Sequence, residues 1–164
     1  MSRLSTQSSA HECLKNVFGY SEFRLGQEEV INNILAGDNV LTVMPTGSGK
    51  SLCFQIPALV LDGLTLVVSP LVALMEDQVA ALQLDGISAD SINSSRTREE
   101  NVRTWARVTA GDVRLLYISP ELLMTERMLT ALRRLNVVQI AIDEAHCISS
   151  WGPSFRPDYE DLSR

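Results

Sequence analysis

The 164-residue chain is short of cysteine, lysine, aromatic rings and long apolar runs, and each shortage narrows what it can be. Its three cysteines, Cys13, Cys53 and Cys147, are widely spaced with no C-x-x-C pair, so they fit neither a disulfide framework nor a zinc knuckle. His11 and His146 sit near Cys13 and Cys147, but a four-ligand site needs ligands on converging elements, so no structural zinc is expected. Apolar stretches such as Leu64 to Val68 and Val137 to Ile142 fall far short of the roughly 18 to 20 residues of a membrane span. Met1 to Ala10 form a polar tail without the apolar core of a secretion signal, so a cytoplasmic chain is expected. Positive charge is scarce as well. Fourteen basic against twenty acidic residues leave a net charge of -6, so no broad positive field holds a polyanion, and any nucleic-acid contact must be local.

What is present is the material of one globular domain, 45% hydrophobic and 21% charged, expected to span residues 11–164. Gly26 to Ala36 carries Val30, Ile31, Ile34 and Leu35 as the stripe of an amphipathic helix. Asn39 to Met44 reads as a strand. Lys50 to Leu61 reads as a helix kinked at Pro57, and Asp62-Gly63 as the turn into a buried strand at Leu64 to Val68. Pro70 to Leu84 is helical by period, and a weak strand is expected near Ser88 to Ile92. Thr97-Arg98-Glu99-Glu100 is a capping box opening a helix that runs to about Val108. Val113 to Ile118 and Val137 to Ile142 are apolar without polar alternation, as strands covered on both faces are, with a helix from about Glu121 to Leu135 between them. Strands alternating with helices predict the α/β class: a mostly parallel sheet between two helical layers, with functional residues directly after strands.

Two segments meet that last expectation. Pro45-Thr46-Gly47-Ser48-Gly49-Lys50-Ser51 follows a strand and opens a helix, the context a phosphate cradle requires. Gly47 and Gly49 let backbone amides turn inward and the helix start adds its positive dipole end. Lys50 brings a point charge to the outer phosphates, and Ser51 is positioned to ligate magnesium. Met44 stands where the strict G-x-x-x-x-G-K-[ST] pattern has its first glycine. The second segment is Asp143-Glu144-Ala145-His146, after Val137 to Ile142. Asp143 is expected to hold Mg2+, Glu144 to orient and deprotonate the water attacking a γ-phosphate, and His146 to relay to neighbouring elements. A glutamate beside the metal acid favours water over another acceptor, hence hydrolysis over transfer. This reading expects Lys50 and Glu144 to face one another across one cleft.

Six of the nine aromatics fall in two short stretches: Phe18, Tyr20 and Phe23, then Trp151, Phe155 and Tyr159. Tyr20, Arg24 and Gln27 fit stacking on a purine and reading its edge, which would select ATP. Trp151, Phe155 and Arg156, just after the acidic pair, have the composition of a loop that stacks bases and touches phosphate. Plain hydrophobic anchoring is the competing reading for both stretches.

These residues resemble the first RecA-like lobe of RecQ helicases, within superfamily 2. Phe18-Gly19-Tyr20 with Phe23-Arg24-x-Gly26-Gln27 resembles that family's adenine-recognition motif, and Met44 to Ser51 its motif I. Val68-Ser69-Pro70-Leu71 is similar to motif Ia, which implies that Ser69 and Pro70 touch single-stranded DNA. Tyr117 to Glu121 follows the family pattern, Asp143 to His146 resembles motif II, and Cys147 to Tyr159 resembles the aromatic-rich coupling loop. Leu25 stands in place of a proline. Pro153 and Ser154 stand in place of His-Asp, which removes a titratable pair from the coupling loop. The resemblance implies a three-layer phosphate-loop NTPase fold, ATP and Mg2+ as cofactors, single-stranded or partly duplex DNA as partner, and 3′ to 5′ translocation. It also implies a second RecA-like lobe, which the sequence ending at Arg164 does not contain. A non-catalytic nucleotide- or partner-binding module and a phosphate-loop phosphotransferase remain as alternatives.

Overall fold

The computed structural model describes residues 3–45 and 49–144, and these divide into two compact units, residues 1–62 and 63–164. The first is helical. Helix α1 (Arg3–Asn16) begins inside the stretch expected to be a polar tail, α2 (Gln27–Leu35) follows Gly26, and α3 (Leu52–Val60) starts just after Lys50 and Ser51. Ala10 and Leu14 hold α1 against Ile31 of α2 and Ile56 of α3, with Phe18 and Phe23 packed around them. Two apolar residues one turn apart thus anchor a helix whose sequence shows little amphipathic pattern.

The strand expected at Asn39 to Met44 is not formed. Those residues lack regular structure, and Leu41 and Val43 are 87% and 90% exposed. A β-branched run can pair only where a neighbouring strand offers its ladder, and the helical unit contains none among the described residues.

The second unit is a four-stranded parallel sheet in the order β2-β3-β1-β4, formed by β1 (Leu64–Val68), β2 (Ala89–Ile92), β3 (Leu115–Ile118) and β4 (Val137–Ile142). Helix α4 (Val72–Leu84) joins β1 to β2, α5 (Arg98–Thr109) joins β2 to β3, and α6 (Pro120–Leu123) and α7 (Glu126–Leu132) join β3 to β4. Leu64, Leu66, Val68, Leu116 and Ile118 pack on Val108 of α5, Leu123 of α6 and Leu132 of α7. The alternate residues Thr65, Val67, Leu115 and Tyr117 point the other way and are equally buried, so both faces of the central strands are covered, as in a RecA-like α/β fold.

Two further expectations change. The single helix read over Glu121 to Leu135 is two, because Thr125 leaves helical geometry and its hydroxyl accepts the Met128 N–H while donating to the Leu122 carbonyl. Strand β4 was read as covered on both faces, yet Ile140 is 51% and Ile142 38% exposed. Among the described residues β4 pairs with β1 alone, so it is an edge.

Candidate functional site

In the helical unit the chain enters α3 through Gly49 (φ +78°), Lys50 and Ser51, and the last two are half-buried. The Cys53 N–H donates to Lys50 O at 3.0 Å and the Gln55 N–H to Ser51 O at 3.0 Å, so α3 winds directly out of the lysine-serine step. Gln27 at the head of α2 is 1% exposed. Its Oε1 accepts the Arg24 N–H at 2.8 Å and its Nε2 donates to Gly49 O at 3.0 Å. A Cβ added at Gly49 would collide with that amide, so glycine is required there both by φ and by the approach of Gln27. The structure therefore brings Arg24, Gln27, Gly49, Lys50 and Ser51 together by hydrogen bonds and chain continuity. Tyr20 is 51% exposed, its ring accessible for stacking, while Phe23 tilts against His11 at 4.9 Å. Thr46, Gly47 and Ser48 lie outside the described residues. Burial pushes the thiols of Cys13 and Cys53 above the ordinary range, which disfavours the thiolate at both.

In the sheet unit the carboxyl ends of the strands align: Val68 is in register with Ile118 and Ile142, and Ile92 with Ile118. Asn93, Ser119, Ser69 and Asp143 therefore stand side by side along one edge, where open α/β sheets bind ligands. Asp143 continues the ladder by donating its N–H to Val68 O at 2.9 Å. Its carboxylate is held twice, Oδ1 by the Glu144 N–H at 3.0 Å and Oδ2 by Gln78 Nε2 of α4 at 3.3 Å. Glu144 follows at φ +56°, the one non-glycine residue of positive φ among the described residues. Ser69 is 1% exposed with its hydroxyl enclosed, and Pro70 is half-buried. His146, Trp151, Phe155 and Arg156 lie outside the described residues.

Gln78 was missed by sequence reasoning, although a signal existed. Met75, Val79 and Leu82 are the buried face of α4, and Gln78 falls at the i+3 position of that same stripe. A polar residue on a core stripe calls for a partner. A second polar cluster was also missed. Asp90, with its side chain 10% exposed, accepts from Arg96 at 2.7 Å and Arg107 at 2.8 Å, and Glu76 accepts from Arg96, Ser91 and Asn93. Among the described residues no group of three or more His, Cys, Asp or Glu could cage a metal ion, and no helix is long and apolar enough to cross a membrane. A magnesium ion needs no such cage, since it binds through one or two protein oxygens plus substrate phosphates. The fixed Asp143 carboxylate is a ligand of that hard-oxygen kind.

Fold and site together define a RecA-like α/β protein with a phosphate-loop sequence at a helix start and an acidic pair at a strand end. The model of the DEAD/DEAH box helicase family matches residues 24–164, and the chain belongs to that family. It is similar to the ATP-dependent DNA helicase RecQ of Haemophilus influenzae, 53% identical over 99% of this chain and 26% of that protein. The RecQ of Bacillus subtilis is 46% identical over 93% of this chain and 26% of its own length, and the ATP-dependent DNA helicase Q-like 2 of Arabidopsis thaliana 43% over 95% and 23%. The chain thus spans about a quarter of the length of these curated relatives.

Proposed function

We propose that the chain is the ATP-binding first motor lobe of a RecQ-like 3′ to 5′ DNA helicase, working on single-stranded or partly duplex DNA in the cytoplasm, nucleoid or nucleus. The observation that supports this most is the doubly held Asp143 carboxylate next to a positive-φ Glu144 at the carboxyl end of β4. A carboxylate fixed before its ligand arrives loses no orientational freedom on binding it, and backbone strain at the next residue is common where a side chain is aimed at a reaction.

In this reading Lys50 neutralises the outer phosphates, and Thr46, Gly47, Ser48 and Gly49 are the rest of the phosphate-binding loop. Ser51 and Asp143 are the residues that would hold Mg2+, which when bound would offset the charge developing on the phosphates. Glu144 accepts a proton from the attacking water, and His146 relays to neighbouring elements. Tyr20 stacks on the adenine and Arg24 and Gln27 flank it. The segment at Ser69 and Pro70, with Trp151, Phe155 and Arg156, meets DNA. The chain alone hydrolyses ATP slowly and does not unwind, because an arginine from a second lobe is needed to complete the site.

The test is binding and turnover of Mg-ATP by the 164-residue chain and its Lys50→Ala variant. Slow phosphate release lost in the variant supports the motor lobe. Nucleotide bound with no turnover even beside a second lobe supports a binding module, and phosphate appearing on an acceptor supports a phosphotransferase.

A further inference from the structure

Gln78 lies on α4, remote in sequence from both motifs, and its amide is placed in an unusual way. Nε2 donates to Asp143 Oδ2 at 3.3 Å, while Oε1 is buried with no hydrogen-bond partner among the described residues. The orientation of the amide is fixed by chemistry, since an ionised carboxylate only accepts and the nitrogen must face it. The oxygen is therefore the atom of the amide left enclosed. Leaving a buried acceptor unmade costs about 1–3 kcal/mol, a cost met where the amide is held in place for another purpose. Met75, Val79 and Leu82 of the same stripe have no donor in their side chains, and the Ser69 hydroxyl beside Asp143 is likewise buried without a partner among the described residues.

We infer that Gln78 is a positioning residue for the cation site: its Nε2 sets the angle at which the Asp143 carboxylate is presented. This rests on the proposed role of Asp143 and adds a residue to it. Carboxylates that ligate metals are themselves hydrogen-bonded, and removing such a partner typically lowers metal affinity 10–100-fold.

The experiment titrates Mn2+, followed by its electron paramagnetic resonance signal, into the chain saturated with a non-hydrolysable ATP analogue. Gln78→Met keeps length and shape without hydrogen bonds, and Gln78→Ala serves if the methionine variant fails to fold by circular dichroism. The expected result is Mn2+ affinity reduced about 10-fold or more, analogue affinity in EDTA unchanged, and no further loss when the substitution is added to Asp143→Asn. Asp143→Asn weakening Mn2+ binding while neither Gln78 variant does would overturn the role of Gln78 alone. Equal losses in EDTA would show a merely structural role and overturn it too. An Asp143→Asn chain that binds Mn2+ normally would instead remove the reading of Asp143, and the inference with it.

Discussion

Glu144 is held at φ +56°, where the Cβ of an L-residue crowds its own carbonyl at a cost of roughly 1–2 kcal/mol. Glycine carries no such penalty. Glu144→Gly is therefore expected to raise the midpoint of thermal unfolding, a gain of up to about 1 kcal/mol, while abolishing phosphate release. Glu144→Gln is expected to keep the unfolding midpoint and nucleotide affinity of the parent and lose about 10²–10⁴-fold in turnover, the usual share of a general base. Calorimetry beside a phosphate-release assay separates the two. If Glu144→Gly destabilises the chain, the positive φ carries no strain, and if Glu144→Gln turns over normally, the carboxylate is not the base. The proposed roles of Lys50, Ser51, Asp143 and Glu144 can be read from the sequence because each chemistry needs a particular side chain at a fixed step from a strand or helix end. That of Gln78 cannot, because it depends on a partner 65 positions away.

At the scale of elements, α5 shows local sequence at its most readable. The Thr97 hydroxyl accepts the Glu100 N–H at 3.2 Å and the Glu100 carboxylate accepts the Thr97 N–H at 2.8 Å, the reciprocal box that T-R-E-E predicts. Thr97→Ala is expected to cost about 1 kcal/mol, measured as a shift in urea midpoint without change in slope. The helix read over 121–135 failed for the matching reason, since Thr125 also caps, but with no glutamate three residues on to announce it. Glu76 of α4 supplies a pH signature. Burial alone would raise its carboxyl, but the hydrogen bonds from Arg96, Ser91 and Asn93 outweigh burial and hold it below the usual glutamate range. Its folded pKa being lowered, its contribution is complete above the unfolded value and is lost as pH falls through the folded one. Glu76→Gln should flatten the acid limb of stability below the ordinary glutamate pKa and leave the curve above it parallel to the parent's. Urea midpoints between pH 7 and pH 3 measure this, and an unchanged acid limb would assign the limb to other carboxylates.

At the scale of the molecule, composition and alternation were enough for the α/β class and the parallel sheet, because β1 and β3, buried on both faces, leave apolar runs, although the equally buried β2 reads Ala-Asp-Ser-Ile. They were not enough for pairing. Asn39 to Met44 has the residues of a strand but forms no ladder, and β4 has the residues of an enclosed strand but exposes Ile140 and Ile142. Periodicity records what a segment can bury, whereas burial itself depends on which neighbour arrives. The same distinction governs activity. The proposed motor residues Lys50, Ser51, Asp143 and Glu144 are all carried by a chain that spans about a quarter of its RecQ relatives. Charge developing on the transferred phosphoryl group needs a further cation, and arginines supplied from outside a lobe are worth about 10³–10⁵ in rate. Joining this chain to the remaining length of a RecQ relative should therefore raise the ATPase rate by about that factor, and the gain should vanish with Lys50→Ala on this side of the junction. A fusion that binds DNA and ATP but hydrolyses no faster than the 164-residue chain would mean that the phosphate-loop and acidic motifs of this chain bind nucleotide without forming part of a motor.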